Sequence, residues 1–410
     1  MDPYLTVDRP LGVTYLDYNA TAPLRAEALA AMVQVLETVG NASSQHAYGV
    51  EAANHVATAR RRVADLLGCS AGELIFTAGA TEANNLALHA TYRGRRIVVG
   101  ASEHPAILET AHACAPGNVV VAPVSRDGAV DTVAAAAALA TGDVDVVSIM
   151  AANNETGVLS DLSAIVELAH AAGAVVHTDA TQLVGKLPID LGELDVDLLS
   201  LSAHKFGGPQ GVGALFVRRS LRLAPRPLLH GGGHERGWRA GTANVAGIVG
   251  MGAAALEAKA RCSLEAEHSR QLRDRLEKSL LAAVPGSSVN GSTRPRLPGV
   301  TSMTFADTPA DAVLAAMPTV AASDGSACHS GALGPSHVLT AMGLSRTEAE
   351  STIRFSLGYA TTEADVDHVI QAVPAAVAHV RNALRPVVKM SSRVNESRSI
   401  LPMSNTSTDR

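Results

Sequence analysis

His177-Thr178-Asp179-Ala180-Thr181-Gln182 and Ser202-Ala203-His204-Lys205, with Ser202 falling 23 positions after Asp179, decide how this chain folds. Each stretch follows a short apolar run, 174–176 and 198–201, of the kind that forms a strand covered on both faces. An acid, an amide, hydroxyls, imidazoles and a lysine are thereby delivered to strand ends. In α/β sheets wrapped by helices, ligands bind in the crevice outside the carboxyl ends of the strands. A single lysine after a strand is ordinarily a solvated residue; it is the ordered pair of segments, with their flanks, that points to chemistry.

Working outward, helical patterns at 50–67, 81–92, 106–114, 130–140 and 162–171 alternate with strand patterns. The strands fall at 74–77, 96–99, 119–124, 144–150, 174–177, 198–201 and 214–217. Such alternation predicts an α/β fold with a mostly parallel sheet and helices on both faces. Two long helical patterns follow, 245–259 and 264–284, meeting near residues 260–263. Short strands at 300–305 and 353–356 and an amphipathic helix at 363–383 then predict a smaller α+β domain. The expected division is a large domain over 17–261 and a small one from 1–16 with 262–385. Residues 386–410, rich in Ser, Asn, Thr and Arg without apolar periodicity, have the composition of a disordered tail.

With 410 residues, the chain has room for two domains, and 47% hydrophobic but only 3% aromatic residues imply a core of Ala, Val, Leu and Ile. A net charge of −6 argues against a broad nucleic-acid-binding face. No apolar run approaches the roughly 20 residues of a membrane span, and no basic start with an apolar stretch marks a secretion signal. Cys69, Cys114, Cys262 and Cys328 have no CxxC spacing and no disulfide-like framework, so a reducing, cytoplasmic location is expected.

Gly79-Ala80-Thr81-Glu82 follows the strand at 74–77 and opens a helix, with Thr81 the expected N-cap. The unpaired N–H groups of such a helix start form an anion site, although an ordinary capped turn explains this piece alone as well. Ser202 and His204 could add donors to the same anion, and Gly207-Gly208-Pro209 lets the chain turn beyond Lys205. A lysine that can form a Schiff base, with an aspartate to face a pyridinium nitrogen, is what pyridoxal phosphate requires. Asp179 would keep that nitrogen protonated. Gln182 can reach the ring's phenolic oxygen, and His104, after the strand at 96–99, can stack on the ring and move protons. Arg354, in an apolar strand, needs an anion: either a structural carboxylate or the α-carboxylate of an amino acid.

Cys328 lies in the small, polar, glycine-rich run 323–336, material for a mobile loop. Cys69 and Cys114 fall at expected helix ends and Cys262 at the expected helix–helix junction, which leaves Cys328 as the candidate nucleophile. His329 beside it would depress the thiol pKa. A competing hydrolase reading comes from Gly68-Cys69-Ser70-Ala71-Gly72, a formal G-x-S-x-G, together with His230-Gly231-Gly232-Gly233. Ser70, however, follows a helix rather than a strand, and with Glu73 it reads as a capping box.

Taken together, these segments resemble the cysteine desulfurases, pyridoxal phosphate enzymes of aminotransferase fold type I, class V. The resemblance runs from Tyr15-Leu16-Asp17-Tyr18-Asn19-Ala20-Thr21-Ala22-Pro23 to about Arg381. It is carried by Phe76-Thr77-Ala78-Gly79-Ala80-Thr81-Glu82, Asn153-Asn154-Glu155-Thr156-Gly157, the Asp179 and Lys205 segments, and His230-Gly231-Gly232-Gly233-His234-Glu235-Arg236-Gly237. Arg239-Ala240-Gly241-Thr242, the Cys328 run and Ile353-Arg354-Phe355-Ser356-Leu357-Gly358 complete it.

The resemblance implies that Lys205 is the Schiff-base lysine and Cys328 the persulfide carrier. It further implies that His104 stacks on the ring, Asp179 and Gln182 contact it, and Ala80, Thr81, Ser202 and His204 hold the phosphate. Asn154 and Arg354 would orient the substrate carboxylate, and Thr242 would reach the phosphate of a partner subunit in a homodimer. The extended Cys328 run is similar to that of the long-loop group tied to iron–sulfur cluster assembly. Asp324 and His329 stand where small hydroxyl residues are common, and Ala203 where glycine is frequent.

The implied reaction converts L-cysteine to L-alanine and leaves a persulfide on Cys328 for an acceptor protein. Iron–sulfur clusters, RNA thiolation and DNA phosphorothioation are the possible destinations, with no direct nucleic-acid contact and no membrane. Related alternatives are a selenocysteine lyase, a plain class V aminotransferase, or a non-catalytic scaffold in a sulfur-transfer complex.

Overall fold

The computed structural model describes residues 12–140, 142–324 and 334–385. Cys328, His329 and the 386–410 segment therefore lie outside the described residues, as does most of 1–16.

In chain order the strands are β1 (Thr14–Tyr15), β2 (Leu74–Thr77), β3 (Arg96–Gly100), β4 (Val119–Ala122), β5 (Val144–Ser148) and β6 (Val175–Asp179). They continue as β7 (Leu198–Ser202), β8 (Gly213–Val217), β9 (Ser287–Val289), β10 (Val300–Phe305), β11 (Val320–Ala321) and β12 (Thr352–Ser356). The helices that position the site are α1 (Ala26–Leu36), α2 (Ala47–Leu67), α3 (Ala80–Thr91), α4 (Pro105–Cys114), α5 (Thr132–Leu139), α6 (Leu162–Ala171) and α7 (Val245–Ala283). After them come α8 (Ala310–Ala316), α9 (His337–Ala341), α10 (Arg346–Glu350) and α11 (Glu363–Leu384).

Seven strands form one sheet in the order β2-β8-β7-β6-β5-β3-β4. Neighbours from β7 through β4 are parallel, whereas β8 runs antiparallel to both β7 and β2. The sheet is thus mostly parallel, as the alternation implied. Its strands are apolar and buried through most of their length because helices cover both faces. A second sheet, β12-β10-β9, is antiparallel, and β1 pairs in parallel with β11.

Two expectations fail. The helices at 245–259 and 264–284 are a single 39-residue helix, α7. Lys259–Leu264 contains neither Gly nor Pro, so nothing breaks the backbone ladder there. What lapses is the apolar stripe. Ile248, Met251, Ala254 and Ala258 pack into the core of the large sheet, and Leu272, Leu276 and Leu280 into the core around Phe305 and Phe355. The polar stretch between is a change of packing partner, not a junction, and Cys262 sits inside a helix. Secondly, Gly79 and not Thr81 is the N-cap of α3, which places Thr81 in the first turn. No element was expected over Ala26–Leu36, which forms α1.

Candidate active site

The carboxyl ends of the parallel strands converge on a cavity of about 710 Å³. Its lining includes Gly79, Ala80, Thr81, Ser202 and His204, together with His104, Asn154, Asp179, Gln182 and Lys205. Nine of the residues singled out from sequence are therefore brought together. Arg354 and Thr242 are not in its wall. Thr242 is exposed on the single chain, and Ser70, held in the capping box with Glu73 as read, is also elsewhere.

Asp179 ends β6, and the sheet register sets it opposite Ser200 of β7. Its Oδ2 accepts from Asn84 Nδ2 of α3 at 2.7 Å and its Oδ1 from the Thr181 N–H at 2.9 Å. Below it, His177 is fully buried with Nδ1 on Ser148 Oγ (2.8 Å) and Nε2 on Ser200 Oγ (2.9 Å). Burial lowers the His177 pKa to about 4, against the opposing pull of Asp179, so the imidazole is neutral at pH 7. Thr181 Oγ1, in the same wall, is buried with no hydrogen-bond partner, a polar atom left for a ligand.

Lys205 closes a single turn, Ala203–Lys205, that leaves β7 directly. The chain can reverse beyond it because Gly207 takes φ +89°, where a Cβ would also strike Arg25 Cγ at 2.5 Å. Lys205 Nζ donates to the carbonyls of Asn19 (2.5 Å) and Ala20 (2.7 Å). Asn19, 2% exposed, is a hub that sequence reading quoted only within a motif. Its Nδ2 donates to the Asn154 carbonyl (2.9 Å), its Oδ1 accepts from Lys186 Nζ (2.7 Å) and its carbonyl also accepts from Gln182 Nε2 (2.9 Å). Lys186 was missed as well. Its one sequence signal is a charge inside the apolar turn Leu183-Val184-Gly185-Lys186-Leu187.

At the anion end, the first N–H groups of α3 have no intrahelical partner. Gly213 of β8 makes room here: a Cβ would meet Gly79 Cα at 2.8 Å. His204 Nδ1 lies 3.1 Å from Thr21 Oγ1, and burial with the nearby Lys205 and Lys186 lowers its pKa to about 4. A neutral imidazole and a hydroxyl therefore flank the helix start, donors suited to a phosphate. Donor-rich cradle, aspartate, amide and lysine all fit pyridoxal phosphate.

His104 is the N-cap of α4, and its Nδ1 accepts from the Ala106 N–H at 3.0 Å. That bond leaves the neutral ring's proton on Nε2. Glu103 beside it is fully buried and accepts from the Met150 N–H at 2.6 Å. Burial holds its carboxyl well above the usual range, with Asp179 adding to the shift.

Arg354, 2% exposed, already has a structural carboxylate: Nη2 meets Asp17 Oδ1 at 2.6 Å, and Nη1 donates to the Asn154 carbonyl at 3.0 Å. Its Nε is buried without a partner. The described chain stops at Asp324, just after Ser323 pairs with Arg354, and resumes at Gly334. Two residues on, Ser336 Oγ donates to Glu155 Oε2 at 2.5 Å, and His337 Nε2 lies 2.8 Å from the Glu103 carbonyl. Both roots of the Cys328 segment are thus fixed beside the site. The other three thiols are free, and burial raises each: Cys69 to about 12, Cys262 to about 11, Cys114 less. None lines the cavity.

Among the described residues no helix is long and apolar enough to cross a membrane. The sequence profile of the family described as Aminotransferase class-V matches residues 14–369. The chain is 45% identical over 385 residues to "Cysteine desulfurase IscS" of Anaeromyxobacter sp. (strain Fw109-5), covering 92% of this chain and 95% of that protein. The solved NifS-like protein from Rickettsia africae superposes with a TM-score of 0.81 at 32% identity, covering 89% of this chain and 99% of that one. A structure described as "SspA in complex with cysteine" gives 0.72 at 32% identity, covering 84% and 98%. With a strand-end lysine and aspartate sharing one cavity and these likenesses over nearly its whole length, the chain belongs to the cysteine desulfurases of the class-V aminotransferase family.

Proposed function

We propose that this chain is a pyridoxal phosphate-dependent cysteine desulfurase that takes sulfur from L-cysteine onto Cys328 and releases L-alanine. The observation that supports it most is the placement of Asp179 and Lys205 at the ends of adjacent parallel strands, in the wall of one cavity with Thr181 and Gln182. When bound, the cofactor supplies a ring that accepts electrons from the substrate's Cα. Asp179, oriented by Asn84 and the Thr181 N–H, would hold the proton on the ring nitrogen. The α3 N-terminus, Ala80 and Thr81, with Ser202 and His204 would hold the phosphate. Gln182 would donate to the phenolic oxygen and His104 would lie against the ring, both lining the cavity.

Lys205, as a free amine, would be the base that removes the substrate's Cα proton. Asn154 and Arg354 direct the substrate carboxylate. For Arg354 this means sharing a guanidinium that Asp17 already holds, with Nε as its open donor. The Cys328 thiolate attacks the substrate sulfur. An S–S bond forms as the C–S bond breaks, its electron pair remains with the substrate carbon, and that carbon takes up a proton to become alanine. No external oxidant or reductant is needed. The persulfide then passes to the thiol of an acceptor protein. The active unit is a homodimer, in which Thr242 contributes to the partner's phosphate site.

The test is L-alanine formation from L-cysteine by the cofactor-loaded protein, with the persulfide located by mass spectrometry. Equimolar alanine and a labelled Cys328 are expected. Alanine formed with sulfur on Cys69, Cys114 or Cys262, or no alanine, would overturn the reading.

A further inference from the structure

Beside the lysine read as cofactor-binding lies a second, half-buried lysine that the reaction above leaves unused. Lys186 is half-buried, and its Nζ donates to Asn19 Oδ1 at 2.7 Å and to Gln182 Oε1 at 2.6 Å. Among the described residues it has no carboxylate within ion-pair distance. The charged groups that act on it are Lys205 and Arg354. Behind it is a small cavity of about 40 Å³ that it shares with Lys205, and there Arg25 is already paired with Glu265 through two contacts of 2.9 and 2.7 Å. A lysine held partly out of water commonly has an acidic partner. This one faces two amide carbonyls and other cations.

We infer that Lys186 is a positioning residue: it fixes the orientation of the Asn19 and Gln182 amides around the cofactor-binding lysine and disfavours positive charge there. The inference rests on the reading of Lys205 as that lysine. An ammonium has three donors and no acceptor, so each amide must turn its oxygen toward it. Asn19 Nδ2 is then directed onto the Asn154 carbonyl, and Gln182 Nε2 onto the Asn19 carbonyl, both at 2.9 Å. Gln182 keeps one N–H for the cavity it lines, where a phenolic oxygen would accept it. The carbonyl of the same Asn19 accepts from Lys205 Nζ at 2.5 Å. A single residue therefore links the two lysines.

The electrostatic part acts in the same direction. Burial and the proximity of Lys205 and Arg354 lower the Lys186 pKa well below the ordinary lysine range. The repulsion is mutual, so Lys186, while it carries its own proton, disfavours one on the Lys205 nitrogen. A hydrogen bond from Gln182 to the phenolic oxygen weakens that oxygen's hold on the same proton. Removing Lys186 relaxes both effects.

The experiment uses the full-length, cofactor-loaded protein and reads the pH midpoint of the visible band of the Lys205-bound cofactor. Lys186→Met is expected to raise the midpoint by about one pH unit. Lys186→Arg, still charged and donor-only, is expected to stay closer to the wild type than the Met variant does. Should Lys186→Met fail to fold by far-UV circular dichroism, Lys186→Gln gives the same readout. A wild-type midpoint in the neutral variant, or an equal shift in Lys186→Arg, overturns the inference. Cofactor trapped on Lys205 with an unmoved midpoint rejects the role of Lys186 alone. Failure to trap it on Lys205 in the wild type rejects the functional reading and this inference together.

Discussion

Ser323 and Arg354 exchange backbone hydrogen bonds in both directions, at 3.2 and 2.6 Å, so the chain entering the Cys328 segment is stitched to the strand that carries a buried guanidinium. That guanidinium is in turn fastened to Asp17, near the start of the described chain. The pair is 2% and 21% exposed on its two sides, so removing the acid leaves an arginine charge buried without its partner. Asp17→Ala is expected to cost about 3 kcal/mol of stability, read by urea unfolding. A loss below ~1 kcal/mol would mean that the pair behaves as a surface contact.

The distal root of the same segment is tied to a carboxyl whose ionisation opposes folding. Burial raises the Glu155 pKa to about 7 from an ordinary 4.5, while Ser336 and Arg354 pull it back. The native state therefore holds a proton that the unfolded chain loses first. The contribution of Glu155 to stability is intact below pH ~4.5 and fades as the pH rises through 7, by roughly 3 kcal/mol in all. Glu155→Gln is expected to flatten this slope in unfolding measurements between those pH values. Taking the difference from the wild type separates it from Glu103, which adds a slope of the same sign, and from His177, whose lowered pKa gives the opposite one.

The thiols divide by environment. Three are raised by burial and lie outside the cavity wall, so replacing Cys69, Cys114 and Cys262 together by Ala or Ser is expected to leave turnover within about threefold of the wild type. Cys328→Ala is expected to keep the visible cofactor band and lose sulfide release. Parallel assays of alanine, sulfide and absorbance check both variants.

Asp179 has one oxygen on an amide from α3 and the other on a backbone N–H two residues along. Asp179→Asn keeps the shape but cannot hold the ring nitrogen protonated, so kcat is expected to fall by about a hundredfold or more, with cofactor still bound. Steady-state kinetics on cofactor-saturated protein provides the check.

Much of the large sheet was legible because strands covered on both faces are continuous apolar runs, and the strand-end residues after Thr77, Val176 and Leu201 could be placed from that pattern alone. The break wrongly assigned near 260–263 shows what a periodicity cannot supply: α7 changes core between Ala258 and Leu272, and the lapse in its stripe reads like an end. Asn19 and Lys186 escaped attention for another reason. Their importance lies in bonds to Gln182, Asn154 and Lys205 that only folding creates. Arg354 was correctly read as needing an anion, but the sequence alone left open whether it was structural, and Asp17 is the one in place.

The placement of Lys205 against Asp179 carries the rest of the chemistry, and chemical trapping tests it most directly. Borohydride reduction of the cofactor-loaded wild-type protein, followed by peptide mass mapping, is expected to find the pyridoxyl group on Lys205. Label on Lys186 or any other lysine, or no label in protein that binds the cofactor, would contradict it.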